Sequence, residues 1–417
     1  MVFPYSESTL PHKIRRVSFL KALRMPVYIW YPSLGGLSLG FTFMNIPPVA
    51  DQFMELYSVG YAGLSLLLSA TIWAHALFQI PAGLVADRIP PRLAALIACV
   101  LATLSALAPL LAPANFTLAF VCRCAAGLCT ALLFLAQMKL ITLLAPAESQ
   151  ANAQGIYGGM IGFGTMLPYI VLPLFGATGR IWAQILVALL YAATGLALFC
   201  VPKVALPEKA ADGTQDYTIW HILRTVVFSP TMLAIGMIHG FIYGTLNNTG
   251  QWLPSILADL SGRPIADWAL ASTLVLLVGS ATRLASGTFL RFTTMSKLIL
   301  TSSFLLSVFY FVLGLVPTPG LAIAAGLTLA VVCSMAYGAV FGLTIKSFSP
   351  VYIGVCYGYQ TTLANLVYVC LTLLYGTVRD KTDSFAWAQF AAGLASFAAL
   401  AAFGGKIRKI GTTEATK

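Results

Sequence analysis

Two arginines, Arg123 and Arg283, fall inside long apolar runs, where a charge needs a reason to be. A guanidinium stays charged at physiological pH and forks onto a planar carboxylate or nitrate. The chemistry these residues can do is therefore to hold an anion. None of the 13 acids is placed to neutralise them: every Asp and Glu falls in a tail, a loop or the end of an apolar run. A charge at the centre of a bilayer costs at least about 2.5–3.5 kcal/mol on insertion scales, so each arginine should face a cavity or a partner. Backbone carbonyls, water, an asparagine or an anionic solute are the partners that remain, and a structural arginine held by carbonyls is the alternative to a binding one.

Polar side chains form rows near these arginines. His239, Tyr243, Asn247 and Gln251 recur every four residues, as do Thr71, His75 and Gln79, while Arg123, Thr130 and Gln137 recur every seven. Such spacings place residues on one helical face, and in lipid that face belongs against a water-filled cavity or a neighbouring helix. The His239 row reads as cavity lining, with Gln79, Gln360 and Asn365 as further polar groups. Trp252 follows Gln251 and reads as an interfacial tryptophan, closure of one end of a pathway being the other reading. His75 and His239 are the side chains within the runs that ordinarily titrate near neutral pH. One of them, or the solute, is the expected carrier of any coupled proton; two neutral, hydrogen-bonded imidazoles are the alternative.

The elements that must position these groups follow from composition. The chain has 417 residues, 59% hydrophobic and only 9% charged, with a formal net charge of +11. Soluble chains carry about 25% charged residues, so a soluble enzyme, a disordered chain and a nucleic-acid binder are poorly supported. Runs of about 20 apolar residues span a bilayer as helices. They occur near 27–50, 61–87, 92–112, 115–145, 150–175 and 181–201, then near 229–257, 267–290, 297–316, 321–346, 352–377 and 385–404. The expected organisation is a basic tail at 1–24, a six-helix bundle at 25–201, a solvated linker at 202–226, a second bundle at 227–404 and a tail at 405–417. The stretch from His12 to Leu23 reads as a surface amphipathic helix or a basic tail. Most basic residues fall in the two tails, the linker and the loops after the second and eighth runs, which places both termini in the cytoplasm. The cysteines read as small packing residues, and His12, His75, His221 and His239 are too scattered for a metal site; no cofactor is expected.

The halves echo each other. The second run ends with Gln79, Gly83, Asp87, Arg88 and Arg92, and the eighth with Arg283, Gly287 and Arg291. A six-plus-six chain with matching halves suggests a transporter whose site lies between repeats. GLVADRIPPR resembles the loop signature of the major facilitator superfamily, with Pro90 and Pro91 where that pattern has Gly-Arg. RCAAG, with Arg123 and Gly127, is similar to the family's fourth-helix motif. The resemblance implies an all-α membrane fold of twelve helices in two pseudo-symmetric bundles that rock about a central cavity. It implies close helix approach at Gly83 and Gly287, and a conformational latch at Asp87, a role that Arg291 replaces with a base in the second half. Arg88 and Arg92 would anchor to lipid phosphates or partner carboxylates. Arg283 looks like the eighth-helix arginine of the carboxylate- and nitrate-transporting branches.

The expectation is a monomeric secondary transporter in the plasma membrane, moving a small organic anion by alternating access with proton or counter-solute coupling. Arg283 would clamp the anion, and Arg123, His75, Gln79, His239, Tyr243, Asn247 and Gln251 would shape the pocket. An inorganic nitrate or nitrite porter and a polyspecific efflux protein for apolar solutes are the alternatives; a membrane sensor or scaffold is a further class. ATP-driven pumping lacks a phosphate loop, and intramembrane proteolysis lacks paired acids at depth.

Overall fold

The computed structural model describes residues 27–145, 150–202, 223–290, 292–315, 318–348 and 353–415. The described residues are helical with short connections, as bilayer solvation demands of backbone groups that must pair within their own segment. The first six long helices are α1 (Val27–Met44), α2 (Tyr61–Arg88), α3 (Pro91–Leu107), α4 (Phe116–Leu144), α5 (Gln150–Val171) and α6 (Gly179–Phe199). The second six are α7 (Pro230–Ser261), α8 (Ala269–Phe289), α9 (Met295–Leu315), α10, α11 (Ile353–Thr382) and α12 (Phe385–Ala415). Helix α10 comes in two pieces, Pro319–Met335 and Tyr337–Ser347.

Local chemistry sets many of the boundaries. The Asn115 side chain accepts from the Leu118 amide at 2.9 Å to start α4. Ser229 does the same for Met232 at 3.3 Å, with Pro230 in the first turn of α7, a position where proline loses no hydrogen bond. Gly262 ends α7 in the left-handed conformation at φ 68°. Between α1 and α2 the chain makes a short helix, Ala50–Tyr57, where a single long run was expected to end near residue 50. The last helix also outruns its expected end at 404 and absorbs most of the segment read as a tail.

Nine stretches among the described residues are long and apolar enough to cross a membrane, one of them covering both α5 and α6. Helix α7 has the length, 32 residues, but His239, Asn247, Asn248 and Gln251 lower its hydropathy.

The pairings show the internal symmetry. In the first half α1 packs on α5, α2 on α4, and α3 on α6; in the second, α7 packs on α11, α8 on α10, and α9 on α12. Adding six to each number converts the first set into the second. The two main contacts between halves, α2 with α11 and α5 with α8, exchange under the same operation. Small residues let these backbones meet, as is usual where no hydrophobic force separates helix from lipid. A Cβ on Gly127 would lie 2.3 Å from the Thr71 carbonyl oxygen of α2, and one on Gly40 would lie 2.1 Å from that of Ile161 on α5.

The halves are joined at one end. The Asp380 carboxylate of α11 accepts from the Tyr61 and Ala62 amides, both at 2.8 Å, so it occupies the positive N-terminus of α2. Arg379 bonds Asp259 at 2.7 Å and also Asp383, and its guanidinium lies 5.3 Å from the Tyr61 ring centre. Beneath this cluster Trp252 is fully buried among Tyr61, Tyr375 and Phe385. This corrects its reading as an interfacial residue: it seals the joint. Tyr169 of α5 donates to the Gly250 carbonyl of α7 at 2.9 Å. Toward the opposite end, Gly158 and Gly159 of α5 and Gly358 of α11 face open space, with nothing within 4 Å of an added Cβ.

Candidate functional site

Arg283 lies on α8, one turn from Ser280, whose hydroxyl approaches Gly162 of α5 where the halves meet. Its guanidinium stands 4.7 Å from the ring centre of Tyr337 on α10 and 5.6 Å from that of Tyr243 on α7. Each such contact is worth about 0.5–2 kcal/mol, more where water is excluded. No carboxylate pairs with Arg283 among the described residues, and its Nε is buried without a partner. The same two tyrosines flank His239, at 6.0 Å for Tyr243 and 5.7 Å for Tyr337, and Phe341 closes on that imidazole at 5.1 Å. Both His239 ring nitrogens are buried and unpartnered. Tyr337 and Phe341 were not singled out in the sequence, where two aromatics four apart in an apolar run look like lipid-facing residues.

The wall from the first half is built around His75. Its Nδ1 lies 3.0 Å from the Thr130 hydroxyl and its Nε2 3.2 Å from the Gln79 amide nitrogen. Phe43 and Phe134 meet its ring edge to face at 5.4 and 6.2 Å. His75 is thus held at both nitrogens by side chains, whereas no described side chain bonds His239. An apolar cluster joins the walls, with Phe43, Ile72, Met166 and Tyr169 from the first half against Leu276, Tyr368 and Val369 from the second, and Phe134 and Tyr243 packed on it.

The His239 row divides. His239 and Tyr243 face Arg283. Asn247 donates to the Tyr243 carbonyl of its own helix at 2.9 Å. Gln251 is turned into α11, accepting from the Tyr368 hydroxyl and donating to Thr372 at 3.4 Å. Its expected place in the pocket is corrected: it fastens α7 to α11.

Arg123 also departs from its expected place. Its Nη1 donates to the Thr42 carbonyl and the Asn45 side-chain oxygen, both at 2.9 Å, and its Nε to the Leu67 carbonyl at 3.3 Å. These partners belong to α1, its C-terminal flank and α2, so Arg123 sits in the interior of the first bundle and shares no contact residue with Arg283. Gln137, further along the same row, packs against Gly35 with both amide atoms unpartnered.

Of the latch residues, Arg92 is described. Its guanidinium donates to the Val201 and Phe199 carbonyls, each at 3.2 Å, and covers the Phe199 ring. It caps the end of α6, a favourable place for a cation. The surroundings of Gly83 and Gly287, the side chains of Asp87 and Arg88, and all of Arg291 lie outside the described residues, as do the segment from His12 to Leu23 and most of the linker.

Two helical bundles related by an internal repeat are the architecture of a membrane transporter. A family model described as Major Facilitator Superfamily matches residues 33–372. The chain belongs to this superfamily. No curated relative matches its sequence. Among solved structures it is similar to a bacterial homolog of the human lysosomal transporter Spinster in an inward-facing, unoccupied conformation. That match has 14% identity and a TM-score of 0.73, over 93% of this chain and 97% of that one. A D-xylose-proton symporter matches with 17% identity and a TM-score of 0.73, over 92% and 97%. The xylose transporter XylE from E. coli, in an inward open conformation, matches with 16% identity and a TM-score of 0.70, over 89% and 94%. At these identities the likeness is one of fold.

Proposed function

We propose that the chain transports a small organic anion, a carboxylate on an apolar or planar body, with Arg283 as the clamp. One observation carries this reading: a guanidinium at the meeting of the halves, framed by Tyr243 and Tyr337, with no acidic partner among the described residues. The carboxylate takes the edge of the guanidinium, and the rest of the solute rests on Tyr337, Phe341, Phe43 and Phe134. Gln79 favours this over a nitrate porter, because it is committed to His75 and supplies no second cation. The aromatic walls also suit an efflux protein for apolar solutes, whose arginine would be structural. We assign any coupled proton to His239, since His75 is already bonded on both sides. The distribution of basic residues favours an orientation with the joined end outside and both termini in the cytoplasm, and we take the chain to act as a monomer in the plasma membrane.

Counterflow in proteoliposomes tests the reading with benzoate, nitrate and tetraphenylphosphonium as probes. Benzoate exchange is expected to fall on the order of a hundredfold or more in both Arg283→Ala and Arg283→Lys, since losing one side of a desolvated charge contact costs about 2–5 kcal/mol and an ammonium lacks the planar fork. Full exchange by both variants sinks the clamp. Nitrate exchange without benzoate exchange favours the inorganic porter, and flux of the cation alone favours efflux. Within the same assay Tyr337→Phe should keep benzoate affinity, whereas Tyr337→Ala should weaken it roughly three- to thirtyfold, the worth of one cation–π contact. Equal affinities would remove Tyr337 from the site.

A further inference from the structure

The interior of the first bundle holds a second cation, Arg123, that no carboxylate pairs among the described residues. Arg123 is 6% exposed, and its three hydrogen bonds go to neutral oxygens. Its Nη2 is buried with no partner. The nearby acids, Asp51 and Glu55, stand on the short helix Ala50–Tyr57; Asp51 accepts from the Gln52 amide at 2.9 Å, and Glu55 is exposed. Neither borders the cavity that Arg123 lines. That cavity measures about 20 Å³ and is lined by Asn45, Tyr57, Ser105 and Gln184 beside Arg123; the Asn45 amide and the Ser105 hydroxyl already donate to the Ala183 and Ala102 carbonyls.

A water in this cavity would satisfy the free N–H and leave the charge where it was. Burying an ion costs several kcal/mol unless a counter-charge is near, and the carbonyls of Thr42 and Leu67 supply partial charges only. Size narrows the choice of counter-charge. The space is small, so it favours a compact particle over a substituted carboxylate. Chemistry narrows it further. The Arg123 Nη2–H, the Gln184 amide and the Tyr57 hydroxyl are donors, whereas Ile46, Phe53, Leu67 and Val187 complete an apolar wall. That combination suits a weakly hydrated monatomic anion and disfavours sulfate or phosphate.

We infer that the first bundle binds a halide, chloride being the abundant one, against Arg123, at a site separate from the solute site at Arg283. The anion neutralises the core of the bundle and ties α4 to α6 through Gln184. It belongs to the resting protein whether or not solute is present.

The test uses the full-length purified protein, with chloride and bromide as probes and gluconate, too large for the cavity, as the reference anion at constant ionic strength. Halide should raise the unfolding midpoint with the logarithm of its concentration above Kd, by about 3 °C at a hundredfold excess over Kd. Bromide should give one anomalous-scattering peak beside Arg123. Arg123→Gln should abolish the halide response, and Arg283→Gln should keep it. Should Arg123→Gln fail to fold, Gln184→Met reads the same site, with halide affinity reduced at least threefold. Equal midpoints in chloride and gluconate would overturn the proposal. So would water alone at the Arg123 cavity in a bromide-soaked crystal, or a halide response indifferent to both Arg123→Gln and Gln184→Met.

Discussion

Replacing Gly40 by leucine is expected to leave no folded transporter. A Cβ at this position would lie 2.1 Å from the Ile161 carbonyl oxygen, 2.8 Å from the Thr165 nitrogen and 2.9 Å from the Gly164 carbonyl carbon. All three are backbone atoms, so no side-chain rotation relieves the contact. The seam is glycine on both sides: a Cβ on Gly164 would meet the Leu37 carbonyl oxygen at 2.3 Å, and one on Gly36 the Tyr157 oxygen at 2.8 Å. Even alanine requires the α1 and α5 backbones to move apart. Overpacking a tight core costs about 1–3 kcal/mol and sometimes more, and leucine here exceeds that range because the displaced element is a whole helix. The monodisperse yield by size exclusion and the thermal midpoint check this. Gly158→Leu and Gly159→Leu, on the same helix but facing open space, provide the control. If Gly40→Leu matches those controls, the α1–α5 seam is not what holds the first bundle.

The second large effect is expected from Asp380→Asn. In the joined conformation this carboxylate accepts two amide N–H groups from the first turn of α2, across the divide between halves. A Cβ on Gly60 would lie 2.6 Å from its oxygen, and one on Gly376 would lie 2.3 Å from the Tyr61 carbonyl oxygen. The contact is therefore fitted on both sides. Hydrogen bonds to a charged group contribute about 1.5–3 kcal/mol each. Asp380 is exposed, and screening reduces the pair to about 1.5–2 kcal/mol in total. The ratio of joined to parted states should fall roughly ten- to thirtyfold. Spin labels at Ser58 and Thr382, with Cys200 and Cys370 replaced, would report this as a longer-distance population. Asp383→Asn is the control: that acid bonds Arg379 within α11 and its flank and is 94% exposed, so the distances should not move. Identical distance distributions for Asp380→Asn and the parent would show that the charge does not hold the joint.

Much of the architecture was legible because it depends on run length and charge placement. The twelve spans and the repeat follow from hydropathy and from Gly83, Asp87 and Arg123 in their motifs. The direction of each polar row was not legible, and helix geometry gives the reason. Four residues advance about 400°, so a row at that spacing drifts about 40° per step. By Gln251 the row that starts at His239 has turned about 120°, from the cavity to α11. A spacing of seven drifts only about 20°, so Arg123, Thr130 and Gln137 do stay in line. Their line faces α1 and α2 inside the first bundle, which no spacing can disclose. The joint was hidden for another reason: Asp380 and Tyr61 are more than three hundred residues apart, and each alone looks like an ordinary loop-end residue. Tyr337 and Phe341 acquire meaning through Arg283 and His239, which approach them from other helices.

The composition of α7 bears on how the protein is made. Its face toward α11 carries Asn248 and Gln251, both within hydrogen-bond reach of Thr372, and its glycines at 236, 240 and 244 fit against Leu363, Val367 and Tyr368 of α11. The ribosome releases α7 well before α11 exists. During that interval the polar seam has no complement, and the segment is among the least apolar of the long helices to reach the translocon. The seam of α7 therefore gains its complement only when α11 has been made. The second bundle consequently closes late, when nearly the whole chain has been synthesised, whereas the α1–α5 seam of the first can form while the second is still unmade.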